Sequence, residues 1–171
     1  MKNFDVFISV EDKRWKNDIK DVQKLVQDCK DAALLCVQDD VPFLKKNKNF
    51  ALNLALSNDK TVWELNKKFR GFDKPTNVLS FANIDDEAFE KELAFENDVA
   101  LGDVIIAYET MKAEAEDLGI LLCDHFCHLW VHGLLHILGY DHIKEDERLE
   151  MEAKEVEILK KLGVLNPYEG L

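Results

Sequence analysis

The chain has 171 residues, of which 47% are apolar and 33% are charged, which is the composition of a folded protein rather than a disordered one. Its 22 basic and 34 acidic residues leave a net charge of −12, which excludes a uniformly basic nucleic-acid-binding domain but not a local basic patch. The apolar runs are too short for a membrane helix, and the N-terminus lacks the apolar stretch of a secretory signal. We therefore expect a cytoplasmic protein that binds no membrane.

The first half of the sequence alternates between strand and helix patterns. Phe4–Val10 predicts a strand, and apolar residues at three- and four-residue spacing predict one long amphipathic helix from Trp15 to Val37. A second strand is predicted at Phe50–Leu56, and helix caps at 57–59 begin a second helix that runs to about Phe69. The helix between the first two strands indicates a parallel, right-handed crossover.

The second half of the sequence contains two further strands and then three helices. The strands at Asn77–Ala82 and Asp103–Ala107 are predicted to pair in antiparallel orientation. The predicted helices are Glu109–Leu118, Asp124–Leu138 and Glu145–Leu162. We therefore predict a single α+β domain over residues 1–171, in which a small mixed four-stranded sheet packs with about five helices.

Three histidines in the segment HGLLHILGYDH carry the clearest chemistry in the chain. His132 and His136 are four residues apart on a predicted helix, as in the HxxxH helix of zinc metalloproteases, so both imidazoles can reach one ion. Gly139 ends that helix, and the short segment after it can bring His142 to the same ion. Three neutral imidazoles with water in the fourth position are typical of catalytic zinc rather than structural zinc.

Neighbouring residues refine this prediction of a metal site. Gly133 stands where a zinc peptidase carries its glutamate base, which disfavours that peptidase mechanism. Asp141 either orients a ligand imidazole through its second nitrogen or is a turn aspartate that binds its own backbone. His128 lies about 12 Å along the helix from His136, too far to share the ion, so we predict a role beside the ligands or in packing.

The histidine segment resembles the signature of the YbeY family of single-domain endoribonucleases. Two other blocks agree with the family pattern: LNKKFRG followed by KPTNVLSF within residues 65–81, and LGDVII at residues 101–106. The resemblance extends from about Thr61 to Glu147 and is consistent with the length of the whole chain.

The resemblance implies an α+β metal hydrolase that holds one metal ion, zinc by preference, on His132, His136 and His142. Its implied activity is cleavage of single-stranded RNA in the maturation of small-subunit ribosomal RNA, notably at the 3′ end, and in ribosome quality control. Arg70 occupies the position of the family's arginine, where a guanidinium can bind phosphate and stabilise charge in the transition state. Implied partners are ribosomal RNA, the small ribosomal subunit, and ribosomal or GTPase assembly proteins, but not DNA.

Asn77 departs from the family pattern, which usually has aspartate at this position. Asparagine retains part of the hydrogen bonding of aspartate but carries no charge. A general base at position 77 is therefore in doubt for this chain.

The charges are distributed unevenly, in a way that suits a local RNA site. Lys67, Lys68 and Lys74 surround Arg70 and are predicted to contact RNA phosphates. Residues 85–98, the acidic insert, contain seven carboxylates and one lysine, which accounts for half of the net charge. We expect the acidic insert to be a solvated loop, and a more specific hypothesis is that it limits nonspecific RNA binding or faces a basic protein partner.

Two other functions remain open at the level of the sequence. The same histidines would suit a metal-dependent hydrolase of another substrate, such as a peptide or a small ester. A non-enzymatic alternative is a ribosome-assembly factor in which the metal stabilises the C-terminal helices and RNA is bound but not cut.

Overall fold

Four strands form one mixed sheet in the computed structural model, which describes residues 1–169. The strands are β1 (Asn3–Val10), β2 (Asn49–Ser57), β3 (Val78–Ala82) and β4 (Asp98–Ala107). Their order in the sheet is β1-β2-β4-β3, with β1 and β4 parallel to β2 and with β3 antiparallel to β4. The predicted pairings are confirmed, although β4 begins at Asp98 rather than at Asp103.

Seven α-helices pack around this sheet within residues 1–169, so the predicted α+β class is confirmed. They are α1 (Arg14–Asp18), α2 (Val22–Val37), α3 (Asp59–Arg70), α4 (Phe89–Phe95), α5 (Tyr108–Leu118), α6 (Leu122–Ile137) and α7 (Glu145–Lys161). None of these helices combines the length and the apolarity that crossing a bilayer requires. Their number exceeds the predicted five because one predicted helix is divided and the acidic insert contains a helix of its own.

The prediction of one continuous helix from Trp15 to Val37 is wrong. The helix is interrupted before Asp21, which has a left-handed backbone with φ of 49°. The side chain of Asp21 accepts a hydrogen bond from the Lys24 amide at 3.2 Å. A short carboxylate that binds nearby backbone amides competes with helix continuation and instead begins α2. Trp15 and Ile19 are nevertheless buried, so the apolar spacing identified the residues that face the core but not the break between them.

The acidic insert is part of the packed structure and is not the solvated loop that we expected. Helix α4 places Phe89 and Leu93 in the main hydrophobic core. The ring of Phe89 meets that of Phe43 edge-on, with the centroids 5.5 Å apart. The carboxylates of the insert are exposed, so its charge is solvated while its apolar residues contribute to the core.

Helix α6 lies at the centre of the molecule, in contact with β3 and β4 and with α2, α5 and α7. It is buried around most of its circumference, and residues such as Phe126, Trp130 and Leu134 are fully buried. The indole of Trp130 donates a hydrogen bond at 3.1 Å to the carbonyl of Val26 in α2. These contacts hold the helix that carries His132 and His136 in one orientation.

The absence of a side chain at Gly133 lets α6 approach the sheet closely. A Cβ atom at this position would lie 2.7 Å from Cγ1 of Val104 and 3.3 Å from Oγ of Ser80. The Ser80 hydroxyl donates a hydrogen bond to the Gly133 carbonyl at 3.3 Å. The position at which zinc peptidases carry glutamate is therefore packed against the β3–β4 edge of the sheet.

We expect Gly102→Ala to lower the free energy of unfolding by about 3 kcal/mol. Gly102 has φ of 135°, and an added Cβ atom would collide with the carbonyl oxygen of Phe81 on β3. Gly119→Ala is the control, because Gly119 has φ of 66° but nothing within 4 Å of an added Cβ, so only a backbone cost of about 1 kcal/mol is expected. Urea denaturation of both variants measures the difference, and equal losses would contradict the proposed collision.

Candidate metal centre

The imidazoles of His132, His136 and His142 converge at one end of a cavity. Helix α6 presents the first two histidines one turn apart, and Gly139, with φ of 104°, turns the chain so that His142 faces them. Nε2 of His136 lies 3.2 Å from Nε2 of His132 and 3.0 Å from Nδ1 of His142. All three candidate donor atoms lie within 4.8 Å of one another, so this group could hold one metal ion. Tetrahedral zinc with Zn–N bonds of about 2.0–2.1 Å needs donor atoms roughly 3.3 Å apart, close to the two distances that involve His136.

The surroundings of His136 favour its neutral form. Burial lowers the pKa of His136 to about 4, and the positive charges that His132 and His142 would carry act in the same direction. Neutral imidazole is the form that binds a metal ion. His136 is therefore available as a ligand at mildly acidic as well as neutral pH.

A buried carboxylate, which the sequence analysis missed, orients His132. Glu155 on α7 is fully buried, and its Oε1 lies 2.5 Å from Nδ1 of His132. Burial alone would raise the pKa of Glu155, but the nearby His128 imidazole and the hydrogen bonds from His132 and Tyr168 outweigh burial and hold the pKa at about 2. An ionised carboxylate only accepts hydrogen bonds, so Nδ1 of His132 carries the proton and Nε2 presents its lone pair to the cavity.

The position of Glu155 on α7 is the sequence signal that could have identified it. Met151, Ile158 and Leu159 form the apolar stripe of this helix, and Glu155 lies within the same stripe. A carboxylate at a core-facing position needs hydrogen-bonding partners inside the protein.

The cavity next to the histidines has a volume of about 400 Å³. One wall consists of α6 and the segment that follows it, and the other consists of β3 and the C-terminal end of α3. Arg70 lies on this second wall and takes part in none of the ion pairs among residues 1–169. The structure thus brings Arg70 to the same cavity as the three histidines.

The other residues singled out from the sequence lie around this cavity in different ways. Oδ1 of Asp141 accepts a hydrogen bond from the backbone amide of His142 at 2.7 Å, so Asp141 makes the local turn contact, and it is Glu155 that contacts the imidazole of His132. His128 lies beside the three histidines, with Nε2 3.6 Å from Oε2 of Glu155. Three lysines are exposed at the end of α3 and in the turn after it, outside the cavity lining: Lys67, Lys68 and Lys74.

Asn77 lies outside the cavity and is paired with a carboxylate. Its side-chain amide donates hydrogen bonds to Glu114 at 3.0 and 3.2 Å, and its Oδ1 accepts one from the Val78 amide. An aspartate at this position would place a second negative charge against Glu114. Asparagine therefore suits this chain, and position 77 supplies no base to the cavity.

We expect the metal-free protein to lose stability as the pH falls from about 6.5 to about 4, partly through His136. The pKa of His136 is lower in the folded state, so the unfolded state takes up more protons in this range and acid favours unfolding. Between pH 7 and pH 5 the free energy of unfolding should fall by about 1 kcal/mol less in His136→Gln than in the wild type; this figure is reduced for solvent screening. Urea denaturation of EDTA-treated proteins at both pH values tests this, and identical pH dependence in the two proteins would contradict it.

Comparisons with known proteins agree on one family for this chain. The family model described as Endoribonuclease YbeY matches residues 7–163. A relative from Paramagnetospirillum magneticum named Endoribonuclease YbeY is 52% identical over 117 residues, which cover 68% of this chain and 70% of the relative. A relative of the same name from Rhizobium etli is 39% identical over 175 aligned residues, covering 99% of this chain and 96% of the relative.

A solved structure supports the same fold independently. The solution structure of a Thermotoga maritima protein matches with a TM-score of 0.56 at 20% sequence identity, covering 97% of this chain and 96% of that one. The family match extends over nearly the whole chain, including the blocks that carry Arg70 and the three histidines. The chain belongs to the YbeY family.

Proposed function

We propose that this chain is a metal-dependent endoribonuclease that cuts single-stranded RNA during maturation of small-subunit ribosomal RNA, notably at the 3′ end, and in ribosome quality control. One observation carries the proposal: three converging imidazoles line the same cavity as an arginine that forms no ion pair with any carboxylate among residues 1–169. The relatives are named as endoribonucleases, which agrees with a phosphodiester as the bond that is cut.

The proposed cofactor is a single zinc ion on His132, His136 and His142. Three neutral nitrogen donors with an open position are typical of catalytic zinc. Bound there, zinc would supply Lewis-acid polarisation of a phosphate oxygen and would acidify a water molecule.

The chain's own residues have separate parts in this proposal. Arg70 binds the scissile phosphate and stabilises negative charge that develops on its oxygens. Glu155 keeps the proton of His132 on Nδ1 and thereby directs Nε2 to the metal. Asp85 and Asp141 are carboxylates of the cavity lining and are the candidates to accept a proton from the attacking water.

A peptidase mechanism fits this site less well than RNA cleavage does. In zinc peptidases of the HExxH type the residue after the first histidine is the glutamate base. Here that residue is Gly133, and α6 lies too close to Val104 and Ser80 for a side chain at this position.

The proposal extends to the setting in which the enzyme acts. We place residues 1–171 in one hydrolase domain that includes the acidic insert, and we place the protein in the cytoplasm. Its partners would be ribosomal RNA and the small ribosomal subunit, together with ribosomal or GTPase assembly proteins.

We expect Arg70→Ala to reduce cleavage of single-stranded RNA about 100-fold while leaving zinc content unchanged, because one group that stabilises phosphate charge is removed. His136→Ala should lose both zinc and cleavage. Arg148→Ala is the matched control, since Arg148 pairs with Glu152 on α7 outside the cavity lining. Zinc analysis and gel assays of a labelled RNA measure these effects.

Full cleavage by both cavity variants would refute the proposed active site. A variant that retains zinc, no longer cuts RNA and yet restores ribosomal RNA maturation in cells would instead support the non-enzymatic assembly factor.

We expect Glu155→Gln to weaken zinc binding by about 10–100-fold, because glutamine can accept the hydrogen bond from His132 but lacks the charge that makes its imidazole a better donor. Glu157→Gln on the same helix is the control, since Glu157 contacts Lys154 rather than a histidine. Competition with a chelating dye gives the zinc affinity, and circular dichroism of the metal-free proteins checks the fold. An affinity within twofold of the wild type would show that Glu155 has no influence on the metal.

A further inference from the structure

We propose that the end of α3 and the turn after it form a stacking platform for the bases of single-stranded RNA. The stacking platform consists of three aromatic residues and four cations: Trp63, Phe69 and Phe72 with Lys67, Lys68, Arg70 and Lys74. This inference rests on the proposed function, because it specifies how the RNA next to the cavity is held.

The three aromatic side chains of the stacking platform are all exposed, and they lie close together in the sequence. Trp63 is 40% exposed, Phe69 is 60% exposed and Phe72 is 50% exposed. Aromatic side chains that remain exposed on one short segment are available to contact a ligand. An aromatic ring that remains accessible can stack on any base, because every base has a π-face.

Each of these rings has at least one cation close to it. Nζ of Lys67 lies 5.7 Å from the ring of Trp63, and Nζ of Lys68 lies 5.0 Å from the ring of Phe69. The ring of Phe72 has two cations nearby, with Cζ of Arg70 at 5.8 Å and Nζ of Lys74 at 5.5 Å. Among residues 1–169, the other cation–aromatic contacts both involve Tyr108, which is buried.

The charge of this segment is opposite to that of the molecule as a whole. Between Trp63 and Lys74 there are four cations and only two carboxylates, Glu64 and Asp73, in a chain with a net charge of −12. Lysine and arginine next to exposed aromatic rings provide the two interactions that single-stranded nucleic acids offer, phosphate contact and base stacking. Charge complementarity thus favours RNA over a protein with an apolar docking segment.

The stacking platform continues directly into the cavity of the metal centre. Phe69 and Arg70 line that cavity together with the three histidines. Phe69 also lines a separate groove of about 660 Å³ on the open face of the sheet, where Glu11 and Asp103 contribute negative charge. An RNA strand that leaves the cavity is therefore directed along the basic end of α3 and not across the acidic sheet face.

Base stacking on protein side chains also selects single strands. In a duplex the faces of the bases are covered by their neighbours, so an aromatic ring meets only sugar, phosphate and base edges. Unpaired nucleotides next to the scissile phosphate can turn their bases onto Phe72 and Trp63. The stacking platform thus accounts for a preference for unpaired RNA without reading its sequence.

Tryptophan fluorescence gives a direct test, because Trp15 and Trp130 are fully buried and Trp63 is exposed. The probe is a single-stranded oligoadenylate with 2′-O-methyl groups, which cannot be cut, added to metal-free protein. We expect saturable quenching of Trp63 by the single strand but not by its duplex with oligouridylate. In anisotropy measurements, Phe72→Ala should weaken binding of this oligonucleotide about tenfold.

Matched controls separate stacking from charge and from loss of fold. Phe95→Ala removes an exposed ring of the acidic insert and should bind the oligonucleotide like the wild type. An abasic oligonucleotide with the same number of phosphates should bind the wild type and Phe72→Ala equally. Trp63→Phe should abolish the quenching while keeping most of the affinity measured by anisotropy.

Wild-type affinity of Phe72→Ala for oligoadenylate would overturn the stacking platform, as would equal binding of abasic and base-containing strands. Because these measurements need neither metal nor cleavage, they are independent of the test of the proposed function. Quenching with no RNA cleavage by the zinc-loaded wild type would support the stacking platform and refute the nuclease, whereas cleavage without stacking would do the reverse.

Discussion

The close contact between α6 and the β3–β4 edge of the sheet is the constraint on which the rest of the structure depends. Gly133 permits it, because any side chain there would meet Val104 on β4 and Ser80 on β3. The contact fixes the distance of His132 and His136 from β3, and β3 therefore forms the opposite wall of the cavity. The same contact removes the place where a peptidase would carry its base, and so one packing requirement both forms the site and limits its chemistry.

A buried charge connects this central helix to the C-terminal part of the chain. Glu155 lies on the buried side of α7 and has no exposed surface, yet the nearby His128 imidazole and the hydrogen bonds from His132 and Tyr168 keep it ionised. Such a charge is tolerated in the interior only when its partners are held in position, and breaking the group would leave a carboxylate unpaired. The orientation of His132 and the packing of α7 on α6 are therefore parts of a single arrangement.

The net charge of −12 gives little information about the charge of the surface next to the cavity. Much of the negative charge lies in the acidic insert, whose apolar residues nevertheless anchor α4 in the core through Phe89 and Leu93. The positive charge at the end of α3 is grouped with exposed aromatic rings beside the cavity. Because exposed charges are screened beyond about a Debye length, a strand at this surface experiences the local cations more than the overall charge.

The sequence by itself determined the order and type of most elements and the convergence of the three histidines, because helix periodicity and the break at Gly139 are local properties of the chain. It did not determine the break at Asp21, where the same apolar spacing suits either a divided or a continuous helix. Only the tertiary structure brought Glu155 into contact with His132. Only the tertiary structure placed Arg70 in the same cavity as the three histidines and Phe89 in the core. These relations depend on how elements far apart in the chain pack against each other, and no local pattern of residues carries that information.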